Sequence, residues 1–153
     1  MLEPTGVVGV VSSESSSLLG LISSISPIIV SGNTCVVFTS ESKPLCGVTL
    51  SEVLATSDVP GGVVNVLTGK RKETVPHLGK HMDVNAIYLA DSGSEFKESL
   101  RFDAVDNLKR IVVAKESDLY SKEVENPYII TSFMETKTTW HPIEIISGSG
   151  SGY

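Results

Sequence analysis

Hydrophobic positions change rhythm repeatedly along this chain, and the changes mark out its elements. Val7 to Val11 is a nearly unbroken β-branched run, the pattern of a strand covered on both faces. A serine cluster able to cap a helix follows, and then Leu18, Leu19, Ile22, Ile25 and Ile29 recur at three- and four-residue steps. That spacing predicts a helix with one apolar face, stopped by Gly32 and Asn33. The alternation continues with a strand over Cys35 to Phe38, a helix over Leu45 to Thr56, a turn at Pro60, Gly61 and Gly62, and a strand over Val63 to Leu67. A helix near Glu73 to His81, a strand over Ala86 to Leu89, a helix over Glu95 to Phe102 and a strand over Leu108 to Ala114 complete the series. Asp118 to Glu125 reads as a polar loop. Beyond it, Tyr128, Ile129, Phe133 and Met134 suggest a helical face, and Thr138 to Trp140 a short edge strand.

Strands alternating with helices through short connections imply an α/β fold: a doubly wound, mainly parallel, five-stranded Rossmann-like sheet with helices on both faces. With 153 residues there is room for one such domain, assigned to 1–146, followed by a Ser/Gly-rich tail at 147–153 read as flexible. Hydrophobic residues make up 41% and charged residues 20%, a balance that folds. The net charge of −6 disfavours nucleic acid and anionic membrane surfaces, which select clustered Lys and Arg. Lys70, Arg71 and Lys72 form the one locally basic run, read as a solvated loop or first helical turn. Cys35 and Cys46 are too few for a disulfide or zinc framework, which favours a reducing, cytoplasmic setting. No apolar run reaches the length of a membrane span, and the first residues lack the pattern of a secretory signal.

Several segments resemble, in order and spacing, the nucleotide-binding domain of aldehyde dehydrogenases. They are Glu3-Pro-Thr-Gly-Val-Val-Gly-Val-Val, Gly32-Asn-Thr, Ser40-Glu with Pro44-Leu, Pro60-Gly-Gly-Val-Val-Asn-Val-Leu-Thr-Gly69, and His81-Met-Asp-Val84. Gly93-Ser-Glu-Phe96, Asn107-Leu-Lys109 and Thr136-Lys-Thr-Thr-Trp140 look more narrowly like the sixteenth aldehyde dehydrogenase family, whose members carry a full unit followed by a truncated second one. The chain resembles the terminal part of that second unit.

Such enzymes use a thiolate nucleophile, an amide that holds the oxyanion, NAD(P) as hydride acceptor and a carboxylate base. The resemblance places the Trp-Asn pair of the first strand on Glu14 and Ser15, which removes the oxyanion amide, and places the general base on Ala114, which accepts no proton. The lysine that contacts the adenosine ribose falls on Phe38, a loss worth roughly ten- to a hundred-fold in cofactor affinity. Glu41 matches the acidic residue near that ribose, although a bland capping role is as ordinary for it. Gly69 matches the first glycine beneath the cofactor, the next two falling on Arg71 and Val75. Asp91 replaces the glycine on the nicotinamide side and would repel a diphosphate, while Ser92 keeps its match. Glu41, Gly69 and Ser92 are thus the vestigial cofactor contacts.

No catalytic residue is expected. Cys35 reads as a buried apolar residue, and Cys46, in a first helical turn, as at most modestly acidified. His77 and His81 have helical metal-pair spacing, but with no adjacent glutamate or third ligand they read as surface histidines. Trp140 is expected to fill a hydrophobic seam, an exposed position pointing instead to a partner surface. The favoured function is a non-catalytic domain with a structural or interaction role and no cofactor, partnered by other dehydrogenase-like domains or a second copy. The alternative is the NAD- or NADP-binding part of an active dehydrogenase whose nucleophile lies outside this chain.

Overall fold

The computed structural model describes residues 1–91, 94–114 and 119–141. The tail at 147–153 and Ser92 lie outside the described residues. Five parallel strands form the sheet: β2 (Val7–Val11), β3 (Thr34–Phe38), β4 (Val64–Leu67), β5 (Ala86–Leu89) and β6 (Arg110–Val113), in the order β4-β3-β2-β5-β6. A two-stranded antiparallel ribbon joins β1 (Leu2–Pro4) to β7 (Met134–Thr136). The helices are α1 (Leu19–Val30), α2 (Leu45–Ala55), α3 (Arg71–Lys80) and α4 (Lys97–Asp103), with short 3-10 helices at Ala104–Asn107 and Pro127–Phe133.

The period-two alternation of the strands sorts the core into two layers. Val8, Val10, Cys35, Val37, Ala86 and Tyr88 face α1 and Phe133, with Leu50 of α2 at the margin. Val11, Phe38, Ile87 and Leu89 face the opposite way, toward Val75 and Leu78 of α3 and Leu100 of α4. Because each central strand is covered on both sides, its sequence is apolar throughout, which is why β2 and β5 were readable end to end. Gly9 has a packing reason: a Cβ there would lie 2.5 Å from Leu78 Cδ1, so its absence lets α3 sit close on β2.

Serines within α1 do not break it, because their hydroxyls bond back to the preceding turn; Ser24 Oγ donates to the Gly20 carbonyl at 2.6 Å. The helix ends at Ser31, where Gly32 turns the chain at φ +85°. Asn33, 2% exposed, then ties three segments together. Its Nδ2 donates to Ser31 Oγ at 2.7 Å and to the Phe133 carbonyl at 2.8 Å, and its Oδ1 accepts from the Gly6 N–H at 2.7 Å.

The C-terminal region departs from expectation. The 3-10 helix at Pro127–Phe133 replaces the expected helical face: Phe133 is fully buried, edge-on to Tyr88 at 5.7 Å between ring centres, while Tyr128 is exposed and Met134 already belongs to a strand. The edge strand is Met134–Thr136, paired with β1, and residues 138–140 are not in a strand. Trp140 is 93% exposed and fills no seam among the described residues. Leu108 does not open β6 either; it ends a 3-10 helix in the left-handed region at φ +56° and stands exposed.

Candidate functional site

The order of strands reverses direction at β2, with β3 and β4 on one side and β5 and β6 on the other. In a doubly wound sheet this switch point opens a crevice beyond the carboxyl ends of the strands. The turns that leave those ends carry Ser12 to Ser15, Thr39 to Ser42, Gly69 to Arg71, Asp91 and Ala114.

Arg71, the first residue of α3, reaches back over this end of the sheet. Its Nη2 donates to the Ser12 carbonyl at 2.6 Å and the Thr39 carbonyl at 3.1 Å. These carbonyls close β2 and β3, so one guanidinium spans two adjacent strand ends. The side chain is only 11% exposed, so the expectation of a solvated basic run fails at its middle residue. Two carboxylates balance it: Glu14 at 3.3 Å and Asp91 at 4.0 Å.

Glu14 is bound more fully still. Its Oε1 accepts from Ser40 Oγ at 2.9 Å and from the Ser42 N–H at 2.8 Å, and its Oε2 accepts from the Glu41 N–H at 2.9 Å. Burial, the largest single influence, opposes its ionisation, but the hydrogen bonds from Ser42, Glu41 and Ser40 together outweigh it and bring the pKa down to about 2. Neighbouring carboxylates are engaged in the same way. Glu41 accepts from the Arg71 N–H at 2.9 Å, capping α3 from thirty residues away, and Asp91 accepts from the Glu14 N–H at 3.0 Å.

Two cavities flank this network. One of about 590 Å³ lies beside Glu14, Glu41, Lys70, Arg71, Lys72 and Asp91. Gly69 precedes it with space above its backbone, since a Cβ there would come no closer than 3.6 Å to Thr74 Cγ2. The other, of about 860 Å³, is bounded by Ser13, Ser15, Tyr88, Asp91 and Ala114 on the sheet side and by Ile129 across from them. Ser15 and Ala114 therefore face one common space, where Ser15 Oγ shares a hydrogen bond with Ser13 Oγ at 2.9 Å.

The remaining candidates stay apart from the crevice. Phe38 is 6% exposed and packs in the core layer beneath α3. Cys35 is buried within β3, and burial pushes its thiol up to about 12. Cys46 accepts a bond from Ser17 Oγ at 3.4 Å in the first turn of α2. His77 and His81 lie exposed at the end of α3, and among the described residues no third His, Cys, Asp or Glu joins them in a metal-holding group. No helix among the described residues is long and apolar enough to cross a membrane.

Single-position reading treated Glu14, Arg71 and Asp91 as three separate losses. The fold brings them together as one ion-paired set, two carboxylates around one guanidinium. The signal available in the sequence was that three unrelated departures from the family pattern carried complementary charge.

Comparison with known proteins agrees with the fold. Residues 1–117 match the model of the aldehyde dehydrogenase family. Aminoacetaldehyde dehydrogenase of Pseudomonas aeruginosa is 29% identical over 150 residues, which covers 96% of this chain and 30% of that protein. The crystal structure of PnpE from Pseudomonas sp. WBC-3 superposes with a TM-score of 0.69 at 28% identity, covering 74% of this chain and 23% of that one. Betaine aldehyde dehydrogenase from Staphylococcus aureus, solved in complex with NAD+, gives a TM-score of 0.69 at 25% identity, covering 74% of this chain and 22% of that one. The chain spans 30% of the length of its Pseudomonas aeruginosa relative.

Proposed function

The chain belongs to the aldehyde dehydrogenase family, and from that premise we propose that residues 1–146 form a non-catalytic domain of it, kept for structural support or protein interaction. On this reading it corresponds to the truncated second unit of the sixteenth aldehyde dehydrogenase family, whose motifs it resembles. The observation that carries this reading is the closed network at the switch point. The backbone N–H groups of Glu41, Ser42 and Arg71 are already bonded to the chain's own carboxylates. An entering diphosphate would have to displace those carboxylates, and at the 590 Å³ cavity the attraction of Lys70, Arg71 and Lys72 is opposed by Glu14, Glu41, Asp91 and Glu95. The residues present therefore do not fit NAD(P). Ser15 stands where resemblance calls for the oxyanion amide, with a shorter side chain, and Ala114 stands where it calls for the base, with no group to accept a proton.

Calorimetric titration of the purified chain with NAD and with NADP tests this. No saturable heat up to about millimolar nucleotide is expected. Micromolar binding would overturn it in favour of the alternative, the cofactor-binding part of an active dehydrogenase, a reading supported by the NAD+ complex of the Staphylococcus aureus relative and by Glu41 and Gly69 at the crevice. In that case Glu41→Ala should abolish the signal.

As an interaction module, the domain would associate with other dehydrogenase-like domains or a second copy. Exposed Tyr128 and Trp140 support a contact at the C-terminal region. Light scattering of the wild type against Trp140→Ala reads this directly: a monomer in both would count against it.

A further inference from the structure

We propose that Glu14 is a resident plug in an oxyanion-binding cradle, and that removing its carboxylate opens a site for inorganic phosphate. The proposal rests on the reading of the crevice as internally satisfied, and extends it by naming what the crevice would hold. The donors come from two separate segments of the chain. The Ser40 hydroxyl and the N–H groups of Glu41 and Ser42 converge on one side at 2.8 to 2.9 Å, and the Arg71 guanidinium closes the other at 3.3 Å. Oε1 takes two hydrogen bonds, and Oε2 takes one together with the ion pair to Arg71, so three donors and a cation surround a group the size of a small oxyanion.

A second observation points the same way. Arg71 is held by the carbonyls of Ser12 and Thr39, at 11% exposure, independently of Glu14. Without Glu14 it would remain in place as a nearly buried cation, its next carboxylate 4.0 Å away at Asp91. Losing Glu14 also leaves the Ser40 hydroxyl and the N–H groups of Glu41 and Ser42 without their acceptor, and unmet donors beside a cation favour an entering anion. The 590 Å³ cavity lined by Glu14 and Arg71 gives an entering ion access. In the wild type the plug is covalently part of the chain, so its effective concentration keeps free phosphate out.

The test compares thermal unfolding of the wild type and Glu14→Ala in 100 mM phosphate and in sodium chloride of matched ionic strength. Phosphate is expected to raise the variant's Tm by about 5 °C over the chloride control, and the wild type's by less than about 1 °C. Equal shifts in both proteins, or none in the variant, would overturn the proposal. Should Glu14→Ala be unfolded in chloride, circular dichroism decides: recovery of the fold in phosphate supports the cradle, and persistent unfolding overturns it. The NAD titration of the wild type is read separately. Binding there defeats the non-catalytic reading whatever the variant does with phosphate, and failure of the phosphate shift leaves that reading untouched.

Discussion

At the scale of single residues, the crevice is governed by one cation. Arg71→Met removes the donors to the Ser12 and Thr39 carbonyls and leaves Glu14 and Asp91 without their shared ion-pair partner. Urea denaturation at pH 7 should show a loss of about 2–4 kcal/mol, and a loss under about 0.5 kcal/mol would mean the network is ornamental. Glu14 makes a separate prediction about acid. Its pKa is lowered from 4.5 to about 2 on folding, so the unfolded chain binds the proton more readily. Its stabilisation is therefore complete above about pH 5 and lost as pH falls toward 2. Because the side chain is 40% exposed, solvent screening reduces that contribution to about 1 kcal/mol. The stability gap between wild type and Glu14→Gln should be widest at pH 7 and close by about pH 2; a gap unchanged across that range would show that the hydrogen bonds do not depend on the charge. None of this was legible position by position. Glu14, Glu41, Arg71 and Asp91 lie on different strand-end loops, and only the sheet order brings them within bonding distance.

At the scale of elements, legibility followed burial. β2 and β5 were readable to their last residue because both faces are covered and no polar residue interrupts them. The start of α3 was not, since Arg71 begins the helix two residues earlier than Glu73, with its N–H capped by Glu41 from a distant loop. Strand β6 begins at Arg110 rather than Leu108 because Leu108 is spent turning the chain out of a 3-10 helix. Close packing of α3 on β2 yields a prediction at this scale. In Gly9→Ala the new methyl would approach Cδ1, Cδ2 and Cγ of Leu78 at 2.5 to 2.7 Å. Leu78 is itself 5% exposed and has little room to retreat, so overpacking should cost about 1–3 kcal/mol in chemical denaturation. Pairing the change with Leu78→Ala should recover part of that loss relative to additivity. Strict additivity would mean the helix simply lifts from the sheet.

At the scale of the whole molecule, the two ends of the described chain are tied to each other and to the sheet. β1 and β7 pair across more than 130 residues, a contact of three residues each that leaves no local pattern to read. Lys137 forms an ion pair with Glu3, the Thr5 N–H donates to the Phe133 carbonyl at 3.2 Å, and the Lys137 N–H donates to the Met1 carbonyl at 2.9 Å. Asn33 is the link between this clasp and the core, since its amide holds the Phe133 carbonyl while its oxygen holds the Gly6 N–H. Asn33→Ala would leave both groups without that partner, and because the site is buried, a cost of about 2 kcal/mol is expected. The effect should be distributed rather than local. Hydrogen exchange of the Leu2–Pro4 and Met134–Thr136 segments should accelerate together, with β5 unchanged, because the clasp can open without exposing the sheet. Acceleration confined to Gly6 would place the ribbon's stability in its own pairing, whereas uniform acceleration including β5 would make the clasp inseparable from global unfolding.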